Sequence, residues 1–282
     1  MKIDGKTRLV GILGDPVAHS LSPGMQNAAL ASLGLNICYV PLPVEPKQLP
    51  EAVAGLRAMQ FRGANVTIPH KIAVANLLDS LDVSAVRTGA VNTIVNNDGT
   101  LTGHNTDGIG FIRALAEVAE VDFSEAPALI LGAGGAARAV AVALAENGCP
   151  RITIINRTPD RANQLKTLLV SEFPAAEVTV RAWEDDLGEP LAQNRLVVNA
   201  TSLGMTSNLK QAWAGVDKLT ASHVVCDLVY STKQTSLLTA AKEKGATLMG
   251  GTGMLLHQGA ASFKLWTARE APLDVMRKAL EP

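Results

Sequence analysis

Gly132-Ala133-Gly134-Gly135-Ala136-Ala137 is a run of small residues suited to holding a phosphate. Gly132 permits a tight turn with backbone angles closed to other residues. Gly134 has no side chain, so the backbone can approach a pyrophosphate. Ala137 stands where close helix-to-strand packing takes Gly or Ala. Free N–H groups and the helix dipole then face the anion. Farther on, Asn156-Arg157-Thr158 and Arg161 occupy the place where an NAD site carries Asp or Glu for the ribose hydroxyl. Two guanidinium forks and a hydroxyl match phosphate oxygens instead. The pattern predicts NADP, with its 2′-phosphate beside these arginines.

Such a turn works only inside a frame of strand, turn, helix and strand, and the flanking sequence supplies one. Leu129-Ile130-Leu131 precedes it, an alanine-rich helical pattern runs on to Gly148, and Arg151 to Ile155 forms a second apolar run. Strands are predicted near Val178-Thr179-Val180, Leu196-Val197-Val198, Val224-Val225-Cys226 and Thr247-Leu248-Met249. Gly250-Gly251-Thr252-Gly253 then breaks the pattern, and helices are predicted from Met254 to about Ala268 and from Leu273 to Leu280. Asp122 to Pro127 reads as the link into this nucleotide domain. Upstream, strand and helix alternate. Strands fall at Leu9 to Leu13, Ile37 to Leu42 and Gly63 to Thr67. Helices fall at Ser22 to Leu33, behind a Ser cap and Pro23, and at about Gln48 to Met59. Pro69 is expected to start another helix. Ala90 to Val95 and Leu101 to Gly103 flank the hairpin turn Asn97-Asp98-Gly99, and Asp107 opens a helix to about Val118.

Composition narrows the function. A chain of 282 residues has room for two domains with separate cores. Hydrophobic content of 47%, charged content of 18% and a net charge of -1 describe a compact soluble protein without a basic surface for nucleic acid or acidic membrane. The N-terminus carries Asp4 and no long apolar core, so it does not read as a signal peptide. Ala126 to Ala145 has one charged residue, Arg138, and imitates a membrane span. Its glycines and flanking strands make it a buried strand and helix. The three cysteines, Cys38, Cys149 and Cys226, read as buried free thiols in a reducing, cytoplasmic compartment. The five histidines lack metal-ligand spacing, so no metal is expected; His70 and His104 read as rim residues of a cleft.

Polar groups gather at strand ends and turns outside the nucleotide domain: Ser20-Leu21-Ser22-Pro23, Asn65-Val66-Thr67-Ile68-Pro69-His70-Lys71, Gly89-Ala90-Val91-Asn92-Thr93 and Asn105-Thr106-Asp107. Singly, each has a structural explanation. Ser20, Ser22 and Asp107 suit helix caps, Asn92 a turn, and Lys71 a solvated helix face. Together and in order they resemble the signatures of the shikimate dehydrogenase family. The resemblance continues through Gly132 to Ala136, Asn156-Arg157-Thr158, Asn199-Ala200-Thr201-Ser202, Asp227-Leu228-Val229-Tyr230 and Gly253-Met254-Leu255-Leu256-His257-Gln258, and so covers essentially the whole chain.

The resemblance implies two α/β domains with a site in the cleft between them. Residues 1–107 and 255–282 would form a discontinuous substrate-binding and catalytic domain, and 108–254 a Rossmann-type NADP domain. It implies reversible reduction of 3-dehydroshikimate to shikimate by NADPH, in chorismate and aromatic amino acid biosynthesis. Lys71 and Asp107 would be the catalytic pair, with the formal proton donor between them left open. Ser20, Ser22, Thr67, Asn92, Tyr230 and Gln258 would bind substrate beside that pair. Gly132, Ala133, Gly134, Gly135 and Ala136 would take the pyrophosphate, and Asn156, Arg157, Thr158 and Arg161 the adenosine 2′-phosphate. Thr201, Leu228, Gly251 and Met254 would lie towards the nicotinamide. Monomer and homodimer both remain open. The neighbouring expectations are a quinate/shikimate or amino-shikimate dehydrogenase and, more distantly, a non-catalytic metabolite-sensing module.

Three positions depart from the family pattern. Gln26 stands where His is usual, Thr232 where Pro is usual, and Val83-Ser84 where acidic residues are common. Gln26 cannot titrate near neutrality, which removes a proton relay at that position.

Overall fold

The computed structural model describes residues 3–183, 187–201, 203, 215–230 and 234–281. Ser202 and Thr232, both singled out in the sequence, lie outside the described residues. The chain divides into two compact units, Met1–Gly110 with Leu256–Pro282, and Phe111–Leu255. Each contains a six-stranded sheet, and the fold class is the expected pair of α/β domains.

In the first unit, β1 (Arg8–Gly14), β2 (Ile37–Pro43), β3 (Gly63–Val66), β4 (Ser80–Leu81), β5 (Thr93–Asn97) and β6 (Thr100–His104) lie in the order β2-β1-β3-β5-β6-β4. β1 runs parallel to β2 and β3, and β5 runs antiparallel to β3 and β6. Leu13 pairs with Val66, Asn65 with Thr93, and Thr93 with His104. The ends of β1, β3 and β6 and the start of β5 therefore share one edge of the sheet. Every polar cluster of the N-terminal sequence leaves the sheet at that edge. Successive side chains of a strand point to opposite faces, and β1 obeys this. Val10 and Ile12 pack with Met25 and Ala29 of α1 (Ser22–Ser32), whereas Leu13 packs with Val53 and Leu56 of α2 (Leu49–Ala58).

Several local expectations change. α1 has Leu21 at its N-cap and no side-chain cap, so neither Ser20 nor Ser22 closes the helix. Pro69 starts no α-helix; a short 3₁₀ turn follows at Ala73–Leu77. The Lys71 carbonyl accepts the Val91 N–H at 2.7 Å, which takes it away from the bond a helix would need. A helix absent from the sequence reading, α3 (Val83–Thr88), is capped by Asp82, whose side chain accepts the Ser84 N–H. α4 (Asp107–Ala116) ends close to the expected place.

The second unit is wholly parallel. β7 (Ala128–Leu131), β8 (Arg151–Asn156), β9 (Glu177–Ala182), β10 (Leu196–Asn199), β11 (Val224–Asp227) and β12 (Thr247–Gly250) lie in the order β12-β11-β10-β7-β8-β9. β7, β10 and β11 are buried at every residue, which explains their apolar runs, broken only at the buried ends Asn199 and Asp227. The chain order reverses between β7 and β10, the place where sheets of this type bind ligands beyond their carboxyl ends. α5 (Gly135–Glu146) packs Ala137, Val140 and Leu144 into the core with Ile130 and Ile154. α6 (Pro159–Glu172), also unanticipated, buries only Ala162, Leu165 and Leu169, at helical spacing, with Leu168 partly buried against the same core. α7 (Gly188–Gln193) and α8 (Ser236–Glu243) complete the layers. Asp122 to Pro127 is no simple link, because Phe111 and Leu115 before it and Phe123 within it pack in this unit's core.

The strand pattern breaks at Gly250-Gly251-Thr252-Gly253 as expected, but α9 (Gly251–Thr267) starts directly after β12, at Gly251 rather than Met254. Gly251 permits close packing: a Cβ on it would lie 2.5 Å from the Leu228 carbonyl oxygen. Farther along α9, Phe263 and Trp266 sink into the core of the first unit, together with Met276 of α10 (Leu273–Lys278). Full burial of a side chain such as Phe263 contributes about 1.5–3 kcal/mol. Trp266 Nε1 donates to the Ile94 carbonyl at 2.9 Å, and a Cβ on Gly63 would strike the indole nitrogen at 2.4 Å. No helix among the described residues is long and apolar enough to cross a membrane.

Candidate active site

The shared sheet edge of the first unit brings Lys71, Asn92 and Asp107 together, and α9 adds Gln258. Lys71 Nζ donates to Asp107 Oδ2 at 2.6 Å. The other carboxylate oxygen, Oδ1, accepts from Asn92 Nδ2 at 2.8 Å. The same Asn92 nitrogen reaches Thr106 Oγ1 at 2.9 Å and Gln258 Oε1 at 3.2 Å. Asn92 Oδ1 accepts from the Thr106 N–H at 2.8 Å and the Thr93 hydroxyl at 3.0 Å. Asn105 Oδ1 accepts the Asp107 N–H at 3.0 Å, fixing the start of α4. Asp107 and Asn92 are 3% and 2% exposed. Asp107 opens a helix as expected, and its carboxylate is committed to the ammonium and the amide.

Beneath this group lies a layer to which the sequence reading gave no role. Asn65 Nδ2 donates to the Asn92 carbonyl, Thr93 Oγ1 and Ser262 Oγ at 3.0–3.1 Å, and Asn65 Oδ1 accepts from the Tyr39 hydroxyl at 2.8 Å. Ser262 Oγ donates to the Gln258 carbonyl, one helical turn back on α9. Asn65 opens its own motif and Ser262 follows Gln258 by four residues. Those spacings were the available signal. Gly110 makes room for α9, since a Cβ there would lie 2.6 Å from Gln258 Cβ.

The side chains of Ser20, Ser22 and Thr67 are placed but, among the described residues, not joined to this group by hydrogen bonds. Ser20 and Ser22 follow β1, and Ser20 Oγ accepts the Ser22 N–H at 3.3 Å. Thr67 follows β3, where the missing side chain of Gly14 admits its methyl group. Tyr230 belongs to the second unit. His70 is not a rim residue: it is 1% exposed and its Nε2 donates to the Val44 carbonyl at 2.6 Å. His104 is partly buried with its Nδ1 3.7 Å from Asp82; burial lowers its pKa, partly offset by that carboxylate. Gln26 is buried and donates to the Gly259 carbonyl at 2.9 Å, which ties α1 to α9 beside Gln258. Ser84 Oγ accepts the Asn105 N–H at 2.9 Å, so this departure from the acidic pattern helps hold the segment leading to Asp107.

The second unit carries the phosphate turn. Gly132 has φ +112°, and its N–H donates to the Ile155 carbonyl at 2.8 Å. A Cβ on Gly134 would meet nothing within 4 Å, so the backbone there is open to a ligand. Gly134 is the N-cap of α5 without a side-chain cap, which leaves the N–H groups of the first turn for an anion. Ala133 is buried behind the turn, and Gly135 and Ala136 form the first residues of α5. Asn156 ends β8 and donates to the Thr158 carbonyl at 2.8 Å. Arg157, Thr158 and Arg161 are exposed at the start of α6, and neither arginine has an ion-pair or hydrogen-bond partner among the described residues. Two free cations beside a helix N-terminus repel one another and the helix dipole, and a phosphate relieves both. This residue set fits NADP. Thr201 and Leu228 follow β10 and β11, Gly251 opens α9, and Met254 is buried in the core.

Of the three cysteines, Cys149 and Cys226 are buried and Cys38 is only partly so; all are free. Burial pushes the Cys226 thiol pKa upward, with the neighbouring Asp227 acting in the same direction.

Known proteins resemble this chain in sequence and in fold. Residues 12–94 match the family described as Shikimate dehydrogenase substrate binding domain, residues 114–227 that described as Shikimate / quinate 5-dehydrogenase, and residues 251–281 that described as Shikimate 5'-dehydrogenase C-terminal domain. The shikimate dehydrogenase (NADP(+)) of Moorella thermoacetica is 47% identical over 280 residues, covering 99% of this chain and 95% of that one. A crystal structure of a shikimate dehydrogenase in complex with NADP+ superposes with a TM-score of 0.90 at 40% identity, covering 99% of this chain and 96% of that one. The Thermus thermophilus enzyme in complex with NADP(H) and shikimate gives a TM-score of 0.83 at 38% identity, covering 97% and 98%. On these matches and the motifs now placed in space, the chain belongs to the shikimate dehydrogenase family.

Proposed function

We propose that this chain is an NADP-dependent shikimate dehydrogenase, reversibly reducing 3-dehydroshikimate to shikimate in the chorismate route to aromatic amino acids. The carrying observation is the Lys71–Asp107 pair at 2.6 Å, braced by Asn92 on the second carboxylate oxygen. When bound, NADPH supplies the hydride that reaches the carbonyl carbon. Negative charge then grows on the substrate oxygen. The Lys71 ammonium stabilises that charge, and the pair supplies the proton, a contribution of about 10²–10⁴-fold in rate. Asp107 orients the ammonium through its short bond. Asn92, Gln258 and Thr67 meet ring hydroxyls, because amides and hydroxyls both donate and accept. Ser20 and Ser22 hold the substrate carboxylate through neutral donors, with Tyr230 near the same group. Gly132 to Ala136 bind the pyrophosphate, and Asn156 to Arg161 the 2′-phosphate. Residues 1–107 with 255–282 form the substrate domain and 108–254 the cofactor domain. The free thiols support a reducing, cytoplasmic setting.

Absorbance at the NADPH wavelength tests this with purified protein. Shikimate and NADP⁺ should give sustained turnover, faster than NAD⁺ at equal concentration and faster than quinate in place of shikimate. Absence of turnover with shikimate would overturn the reading, and a preference for NAD⁺ would overturn the cofactor assignment.

A further inference from the structure

Below the ends of β10 and β11 sits a buried carboxylate that none of the roles above uses. Asp227 is 1% exposed. Its Oδ1 accepts from Asn199 Nδ2 at 2.9 Å and from the Val229 N–H at 3.1 Å, and its Oδ2 accepts from the Thr235 hydroxyl at 2.6 Å. Asn199, wholly buried, gives its second amide hydrogen to the Leu203 carbonyl at 3.4 Å. Its Oδ1 accepts from both the N–H and the hydroxyl of Thr201, at 3.1 and 2.7 Å. Thr201 Oγ1 accepts in turn from the Leu203 N–H at 3.1 Å.

The direction of these bonds is fixed from the bottom. A carboxylate accepts and does not donate, so Asn199 must turn its NH₂ towards Asp227. The reversed amide would set oxygen against oxygen inside the protein. With its NH₂ committed, Asn199 offers Thr201 only an acceptor, and the Thr201 proton points inward. A hydroxyl has one proton and two lone pairs. One lone pair takes the Leu203 N–H, and among the described residues nothing takes the other.

Place says what it faces. Thr201 follows β10, the first strand on the far side of the chain-order reversal, and a Cβ on Gly132 would lie 3.3 Å from its methyl carbon. Arg157 and Arg161 assign the adenosine half to the β8 side, so Thr201 stands on the nicotinamide side of the phosphate turn. We infer that Asp227, acting through Asn199, makes Thr201 an obligate hydrogen-bond acceptor for a donor group of the nicotinamide nucleoside, its carboxamide NH₂ or a ribose hydroxyl. This rests on the second unit being an NADP site. Asp227 and Asn199 are positioning residues in this scheme.

The test is coenzyme binding to the unmodified protein and its variants, followed by quenching of protein fluorescence without substrate. The probes are NADP⁺ and its 3-acetylpyridine analogue, in which a methyl ketone replaces the carboxamide. If the donor is the carboxamide, the unmodified protein prefers NADP⁺ by about tenfold, the scale of one neutral hydrogen bond. Thr201→Val and Asp227→Leu, which removes the acceptor that orients Asn199, then lose that preference, and Thr201→Ser keeps it. If the donor is a ribose hydroxyl, both substitutions weaken both coenzymes alike. In either case Asp227→Leu adds no further loss to Thr201→Val. Additive losses in the double variant, or unchanged binding by Thr201→Val, would overturn the inference. Failure of the unmodified protein to bind NADP⁺ would instead overturn the cofactor reading beneath it.

Discussion

The cluster around Lys71 and the phosphate turn after β7 present charge in contrasting ways. Near Lys71, side chains are held by other side chains: Asp107 is gripped on both oxygens, Asn92 makes bonds in several directions, and Asn65 and Ser262 brace the group from below. At the phosphate turn the donors are backbone N–H groups, and Arg157 and Arg161 stand exposed without partners among the described residues. A braced cluster keeps its geometry before any ligand arrives, as proton transfer requires. Under the proposed function, bare cations and open N–H groups would gain their partners only from the ligand, and so would confer affinity and coenzyme choice without supporting the fold. Loss of a braced residue should therefore damage rate or stability, and loss of a bare one should damage binding alone.

The largest effect is expected at Lys71. Lys71→Ala should lose about 10²–10⁴-fold in kcat while its NADP⁺ dissociation constant stays near that of the unmodified protein; a near-normal kcat would remove Lys71 from its role. Asn92→Ala comes next. It strands Asp107 Oδ1 and the Thr106 N–H in a buried site, and urea denaturation should show a loss of about 2–4 kcal/mol. Arg157→Ala combined with Arg161→Ala should weaken NADP⁺ by about 10–100-fold and leave NAD⁺ binding unchanged. The denaturation midpoint of that double variant should move little, and a large fall would erase the contrast between the two regions.

The smallest effect concerns pH. Burial holds the folded His104 pKa below its ordinary value of 6.5. The unfolded chain then binds a proton that the folded chain resists, so stability falls as pH drops through that value. His104→Gln should flatten this dependence in denaturation curves taken at about pH 5 and about pH 8. An unaltered slope would assign the acid sensitivity elsewhere.

Much of this contrast could be read from the sequence, and unevenly. The phosphate turn announces itself because its chemistry is backbone chemistry, and Gly132, Gly134 and the strands beside them are adjacent in the chain. The pairing of Lys71 with Asp107 depends on β5 and β6 returning the chain to the end of β3, and local sequence does not encode that. Only the order of the motifs suggested it. The supports under the pair were harder still. Asn65, Thr93 and Ser262 look like ordinary strand and helix residues until a sheet edge and a distant helix face one another. α6 escaped because only Ala162, Leu165 and Leu169 of its length are buried. The expected helix after Pro69 failed because a non-local partner, Val91, takes the Lys71 carbonyl.

Trp266 has one further consequence, for biosynthesis. Its indole fills the space left by Gly63 and closes on the Ile94 carbonyl, yet it lies near the end of the chain. A ribosome releases β1 to β6 long before it releases this residue, and completes Phe111–Leu255 in the interval. The parallel sheet can mature first, while the earlier-made segment waits with an open seam along its core. Until α9 emerges, that seam exposes apolar surface to chaperones and to other nascent copies.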